Sequence, residues 1–589
     1  MASTLSILSS AASATADRAL AKFARFLGLQ AELLAIDDES GGAIEPLLAD
    51  REPNGFVLAI GQSTLRSAMD RDWFVRLLAR SRFCFVYGFA ATDGNMVELK
   101  WLTGGAVTSV MSTGAGSKHL TVHSNVRHDG FAVSGASCEL DTECLAFGGV
   151  SRANETETYI SVDGRPHFVA TTRAGVQIFL LAERTLVDID STLAPEASLR
   201  PWYAQLVAMA IFLRAAFGNS CWSAPVTAAT FILDDPYLKK RYGFVRYADL
   251  VKALQSTGGA LTVAFIPYNY RRSDPRTVAL LKSHAERFSI AVHGCDHTGG
   301  EFASLNEGWL AGTADCALEL MQAHSRLSGM PFDNVMVFPQ GRFSTKAVGA
   351  LKRAGFAAAV NTTAWPEDYG ERPLTMRDCL DVAVTKYEYF PIFQRRYPRD
   401  MFDYAFDALF QKPVLVVEHH GFFRRGYESF GEVIRKLSGL PTKLTWMPLG
   451  QTVSSSCLYR QTGHREGALR QYSAALVFRN PTVEPLSISV EKPEQNEVVE
   501  AVVVGATKVP FDLHSGLLKY DVRLEPGEQI DIRVLYRGTR HAARRPPLKY
   551  RVTASARRRL SEVRDNYLAR SERVLAVAEK IKRVVAPER

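Results

Sequence analysis

The apolar positions of this chain change period four times. Near the N-terminus, Asp17 to Leu29 places Leu20, Phe23 and Leu27 on one helical face, with Gly28 near its end. Continuous apolar runs follow at Gly55–Ile60 and Phe83–Phe89, with helical spacing over Arg66–Arg80 between them, which predicts a βαβ-like start. From Ala106 to Asp190 the pattern becomes strand-rich. Between residues 215 and 455, short buried-type runs alternate with amphipathic stretches. The expected strands are Thr227–Leu233, Leu261–Ile266, Phe288–Val292, Val335–Phe338, Ala357–Asn361, Val414–Glu418 and Leu444–Met447. The expected helices include Tyr247–Gln255, Pro275–His284, Trp309–Arg326 and Thr345–Ala354. Seven strands separated by helices predict a parallel α/β barrel or an open sheet, either of which carries its working residues at the C-terminal strand ends. Residues 468–537 alternate apolar and polar positions with turn signals such as Pro526-Gly527, the pattern of a small antiparallel sandwich. The expected organisation is thus an N-terminal α/β and β-rich unit over 1–200, a barrel over 215–455, a sandwich over 468–537 and a tail over 540–589.

Charge separates the tail from the rest. The chain has 589 residues and a formal charge of +8, yet residues 540–589 hold 15 Lys and Arg against 5 Asp and Glu, leaving the remainder slightly acidic. A helix is expected over Ser561–Val585. The tail reads as a solvated helix, with peripheral contact to an anionic membrane surface as the alternative; no nucleic-acid module stands beside it, so nucleic acid is not an expected partner. Eight scattered cysteines without a CxxC pair predict free thiols. The Ser/Ala-rich start lacks a basic n-region, and Leu206–Phe217 is too short to span a bilayer, so a cytoplasmic, bacterial protein is the expectation. The first 200 residues carry no GxGxxG, Walker A or GxCxG motif, and their role stays open. His119, His123 and His128 read as surface or turn residues.

Three of the predicted strand ends carry chemistry. Asp234-Asp235 closes the run Phe231-Ile232-Leu233, His293 and His297 follow Ile290-Ala291-Val292, and His419-His420 follows Val417-Glu418. Two imidazoles four residues apart can share one ion, and a carboxylate makes a three-ligand set that leaves room for water. A second carboxylate can take the proton of that water, and a later histidine can protonate a leaving amine.

The order of these motifs resembles the polysaccharide deacetylases with a NodB homology domain, carbohydrate esterase family 4. The resemblance covers about 230 residues. It implies a distorted (β/α)7 barrel and one divalent metal, zinc or else Co, Ni or Mn, that serves removal of acetyl groups from an amino sugar or glycan. Carried over by motif, Asp234 is the general base, and Asp235, His293 and His297 are the metal ligands. In Pro339-Gln340-Gly341 the backbone N–H of Gln340 is the oxyanion donor. Trp365 is an apolar wall. His419 is the general acid, with His420 as the fallback. Three departures stand out: Val337 where the third motif begins with an Arg that braces the base (Arg342 being the nearby substitute), Pro236 after the aspartates, and Gly294 where Ser or Thr is usual. The missing Arg keeps a second reading open, a catalytically inactive deacetylase-like module that binds a glycan or protein.

Overall fold

The structure is a computed structural model that describes residues 4–36, 55–91, 96–124, 131–150, 156–496, 498–537 and 548–566. The N-terminal unit is built on a nine-stranded sheet. Five parallel strands (Gln30–Ala35, Thr4–Ser9, Phe56–Gly61, Ser81–Tyr87 and Val176–Leu181) continue into four antiparallel ones. Thr4–Ser9 lies inside this sheet although its alternation of Ser with Leu and Ile gave no strand signal of usable length. The single helix expected over Arg66–Arg80 is two, Gln62–Ala68 and Asp72–Ala79, separated by a turn at 69–71. His123 bonds Ser161 across two strands of the sheet, and His128 lies outside the described residues.

The apolar stretch near residue 210 is the helix Tyr203–Phe217, buried on nearly every side. A helix that is apolar all round must be covered all round. Here one flank stacks Phe212 on Phe85 of the N-terminal sheet, and another stacks Tyr203 on Phe406 of the barrel. This helix therefore welds two units into one hydrophobic core. No helix among the described residues is long and apolar enough to cross a membrane.

The central unit is a (β/α)7 barrel. Its strands run in chain order: Thr227–Asp234, Leu261–Phe265, Phe288–His293, Asp333–Val337, Ala358–Asn361, Ile392–Gln394 and Val414–His419. Each is parallel to the next, and the first pairs with the seventh. Only Arg396 joins the sixth strand to the seventh, its N–H donating to Leu415 and its carbonyl accepting from Val417, both at 2.9 Å. The barrel is distorted at that seam. Two expectations change here. The short strand Ile392–Gln394 was not foreseen. Leu444–Trp446, foreseen as the seventh strand, instead pairs only with the entry of the first, at Thr227–Ala229. The helices begin as their caps dictate: the Asp274 carboxylate accepts from Thr277 N–H at 2.8 Å, and Ser344 and Asn306 do the same for the following helices.

Residues 457–536 form two packed sheets of five and four strands. Cys457–Gly463 and Glu466–Gln471 belong to the first, so the sandwich begins before 468. All eight cysteines are free. The last described element is the helix Leu548–Asn566, which starts earlier than foreseen; the rest of the expected tail helix lies outside the described residues.

Candidate active site

All of the barrel residues singled out by motif lie at, or within four residues beyond, the C-terminal end of a strand. Asp235 Oδ1 lies 3.4 Å from His293 Nε2 and 3.3 Å from His297 Nε2. These three ligand atoms all fall within 4.8 Å of one another. His293 contacts Val337 O at 3.0 Å through Nδ1, which fixes Nδ1 as the protonated nitrogen and turns the Nε2 lone pair toward Asp235. Asp235 Oδ1 is buried and makes no hydrogen bond. An orphaned carboxylate oxygen facing two imidazole lone pairs fits a divalent cation, whose charge would satisfy all three. Burial pushes the Asp235 carboxyl up; positive charge on His293 and His297, when they carry a proton in place of an ion, outweighs it and holds the carboxyl below the ordinary range.

The cluster is shaped by backbone that few residues adopt. Asp235, His297 and Gln340 have φ of 81°, 59° and 57°. Glu301 holds the histidine loop: its carboxylate accepts the N–H groups of Cys295, Asp296 and His297 at 3.0 to 3.2 Å. Burial, and after it Asp296, pushes the Glu301 carboxyl well above its ordinary value. Gly294 makes room for this brace. A Cβ there would meet Glu301 Oε1 at 1.9 Å and Pro339 Cγ at 2.4 Å, with φ at 62°. That explains why neither Ser nor Thr stands at this position. Sequence reasoning passed over Glu301, whose only signal was its place four residues after His297.

Asp234 is buried, 3% exposed, and Arg395 grips it: Nη1 and Nη2 donate to Oδ1 and Oδ2 at 2.6 and 2.8 Å. Burial pushes the Asp234 carboxyl up, and Arg395 with the neighbouring His293 and His419 reverses that, holding it ionised below the usual range. The expected substitute for the missing motif-three arginine does not do this. Arg342 turns outward and pairs with Glu367 at 2.7 Å. Arg395 follows the strand that the sequence did not reveal, so its approach to Asp234 was hidden with it.

His419 is half-exposed, with Nε2 4.0 Å from Asp234 Oδ2 and its ring stacked over Tyr397. His420 points elsewhere. It lies between Tyr242 and Phe244, with Nε2 3.8 Å from Asp565 of the C-terminal helix, and so is a wall residue rather than a partner of the cluster. Gln340 stands between two cavities. One, of about 340 Å³, contains Asp235, His297 and residues of the C-terminal helix. The other, of about 510 Å³, carries Trp365, Thr362 and Tyr369. Trp365 is thus beside the cluster's neighbour cavity, not against the ion ligands.

No family model and no curated protein matches this chain. Solved structures do. Agd3, described as a novel carbohydrate deacetylase, aligns over 90% of this chain and 98% of its own, at 11% identity and a TM-score of 0.44. The peptidoglycan N-acetylglucosamine deacetylase Bc1960 covers 39% of this chain and 90% of its own, at 12% identity and a TM-score of 0.25. A family 4 carbohydrate esterase from Streptomyces lividans covers 32% and 86%, at 15% identity and 0.19. The central unit shares with them a nearly closed parallel barrel of seven strands. Likeness at these identities says nothing of activity, which has to be argued from the side chains.

Proposed function

We propose that this chain is a metal-dependent deacetylase of an acetylated amino sugar or glycan. The observation that carries the reading is the pairing of two adjacent carboxylates with opposite surroundings. Asp235 sets an oxygen without a hydrogen bond against two imidazoles, whereas Asp234 is locked by an arginine and kept ionised. Asp235, His293 and His297 would hold one divalent ion, zinc or else Co, Ni or Mn, which when bound polarises the acetyl carbonyl and acidifies water.

The chain's own groups then account for each proton. Asp234 takes a proton from the attacking water as the new C–O bond forms. The Gln340 N–H donates to the oxygen that gains charge. His419 delivers a proton to the sugar nitrogen as the C–N bond breaks, releasing acetate and a free amine. Trp365 and its cavity offer a wall for a neighbouring sugar.

The rival reading, an inactive binding module, drew its strength from Val337 in place of the bracing arginine. Arg395, just beyond another strand, bonds Asp234 in that arginine's stead, which supports the active reading over the rival. The test is metal content and acetate release from acetylated chitooligosaccharides and other acetylated glycans. Near one ion per wild-type chain and none in His293→Ala/His297→Ala is expected, with acetate release abolished in the variant. Full acetate release by the metal-free variant would refute the reading.

A further inference from the structure

The C-terminal helix Leu548–Asn566 lies across the mouth of the barrel. Tyr237 donates its hydroxyl to the Arg558 carbonyl at 2.9 Å, Gly243 N–H bonds Asn566 at 2.8 Å, and Glu562 pairs with Lys239 and Arg272. The helix thereby brings three arginines, Arg557, Arg558 and Arg564, into the lining of the cavity that holds Asp235 and His297.

These arginines are not equivalent. Arg557 is neutralised by Asp296, at 2.7 Å, and also bonds Thr298. Arg564 is neutralised by Asp565, at 2.6 Å. Arg558 is only 5% exposed, its Nε is buried without a hydrogen bond, and among the described residues no carboxylate pairs with it. A guanidinium is always charged and presents a planar fork of donors. Taking it out of water without a counter-charge is unfavourable. Arg557 and Arg564, more exposed, each have a carboxylate, so of the three arginines lining the cavity the most buried is the one without a counter-charge.

We infer that Arg558 binds an anionic group of the substrate, a phosphate, sulfate or carboxylate carried on the acetylated sugar, in the cavity beside His297. The sugar in this inference rests on the deacetylase reading; the anion does not. It assigns the C-terminal helix to the substrate site rather than to a separate tail.

The test uses the full chain stripped of metal by a chelator, so that no ion can hold the anion. Binding of N-acetylglucosamine, N-acetylglucosamine 6-phosphate and N-acetylmuramic acid is measured by calorimetry in wild type, Arg558→Gln and Arg557→Gln. At least one of the two anionic sugars should bind about tenfold or more tighter than the neutral one, as a charge-assisted hydrogen bond predicts. The two arms tell a phosphate from a carboxylate. Arg558→Gln should erase the preference and Arg557→Gln should keep it. Equal or undetectable binding of all three by wild type overturns the inference, as does a preference that survives in Arg558→Gln. Should that variant not fold, Arg558→Lys serves, with a weakened preference expected and an unchanged one counting against the fork. Acetate release by the metal-loaded wild type separates the two readings. Anion preference without release refutes the hydrolase and keeps the anion site, and release without preference does the reverse.

Discussion

Replacing Arg395 with methionine should damage the barrel and the chemistry together, in amounts that the geometry fixes. Asp234 and Arg395 are each 3% exposed and joined by two hydrogen bonds of 2.6 and 2.8 Å. Deleting one partner of such a pair strands the other as a buried charge, at a cost of about 3–5 kcal/mol. Part of that is recovered if Asp234 takes up a proton, because losing the arginine removes the main attraction that opposes its burial. The sign follows. In wild type the Asp234 carboxyl is held below its unfolded value, so its stabilisation is present above that value and lost as pH falls through the folded one. In the variant burial prevails, the carboxyl rises, and the acid limb of kcat/KM should move to higher pH. Several units share this chain, so a global midpoint would blur the effect. Amide exchange in the Thr227–Asp234 strand reads it locally, and protection there should fall about a hundredfold for about 3 kcal/mol. The double variant Arg395→Met/Asp234→Asn should exchange more slowly than Arg395→Met, since no charge is stranded. Protection within about threefold of wild type, together with an unmoved acid limb, would show that the pair does not brace the base.

Three further expectations can be checked. His419→Ala should lower the acetate-release rate by about 10² or more, as loss of a general acid does, while His420→Ala should leave it within a few-fold, because His420 faces Asp565; comparable losses in both would reject the assignment. Gly294→Ala should cost metal affinity as well as stability, since its Cβ would collide with Glu301 and Pro339; a variant that keeps full metal content would show that the loop yields easily. In the N-terminal sheet, burial holds the His167 imidazole down at about 4. The unfolded chain therefore binds a proton first, and the unit should lose roughly 3 kcal/mol as pH falls from 6.5 to 4, a loss that His167→Gln should remove in pH-dependent exchange measurements.

What the sequence disclosed follows the strength of its local signals. The first five barrel strands and the seventh are apolar runs flanked by capped helices, and they stand within a few residues of where the pattern put them. Ile392–Gln394 has three residues between Phe390-Pro391 and Arg395-Arg396, too few for any period, and so the strand, its arginine and the closing seam were all invisible. Leu444–Trp446 shows the opposite case, a strand-like run whose place in the sheet is decided by partners far away in sequence. Asp235, His293 and His297 could be grouped because two of them stand four residues apart at the end of one strand and the third directly follows another. Nothing local links residue 558 to residue 297. The basic tail read as a solvated charge run because charge patterning reports composition and not what a helix packs against.

The backbone argues that the cluster is held for use and not left by chance. Asp235, His297 and Gln340 are three of the few non-glycine residues with positive φ among the described ones, and they come from three different strand ends. Each such conformation costs about 1–3 kcal/mol, so together they approach the net stability of a domain. A chain under selection for stability alone would place Gly or Asn at these positions, as it does at the helix ends Gly258, Gly329 and Gly355. Here the side chain or peptide N–H at each strained position is one that the proposed reaction requires. The structures that sustain the strain are correspondingly expensive: Glu301 buried to receive three N–H groups, and Asn361 bonding Gly341 O at 2.9 Å to pin the turn. Substituting glycine at His297 would relieve the backbone and remove a ligand, whereas glycine at Gln340 would relieve it and keep the N–H. Gln340→Gly should therefore gain stability of up to about 1 kcal/mol while retaining metal and most of its acetate release. If that variant lost activity by more than about tenfold with metal still bound, the Gln340 side chain would have a role in the site that its N–H alone does not explain.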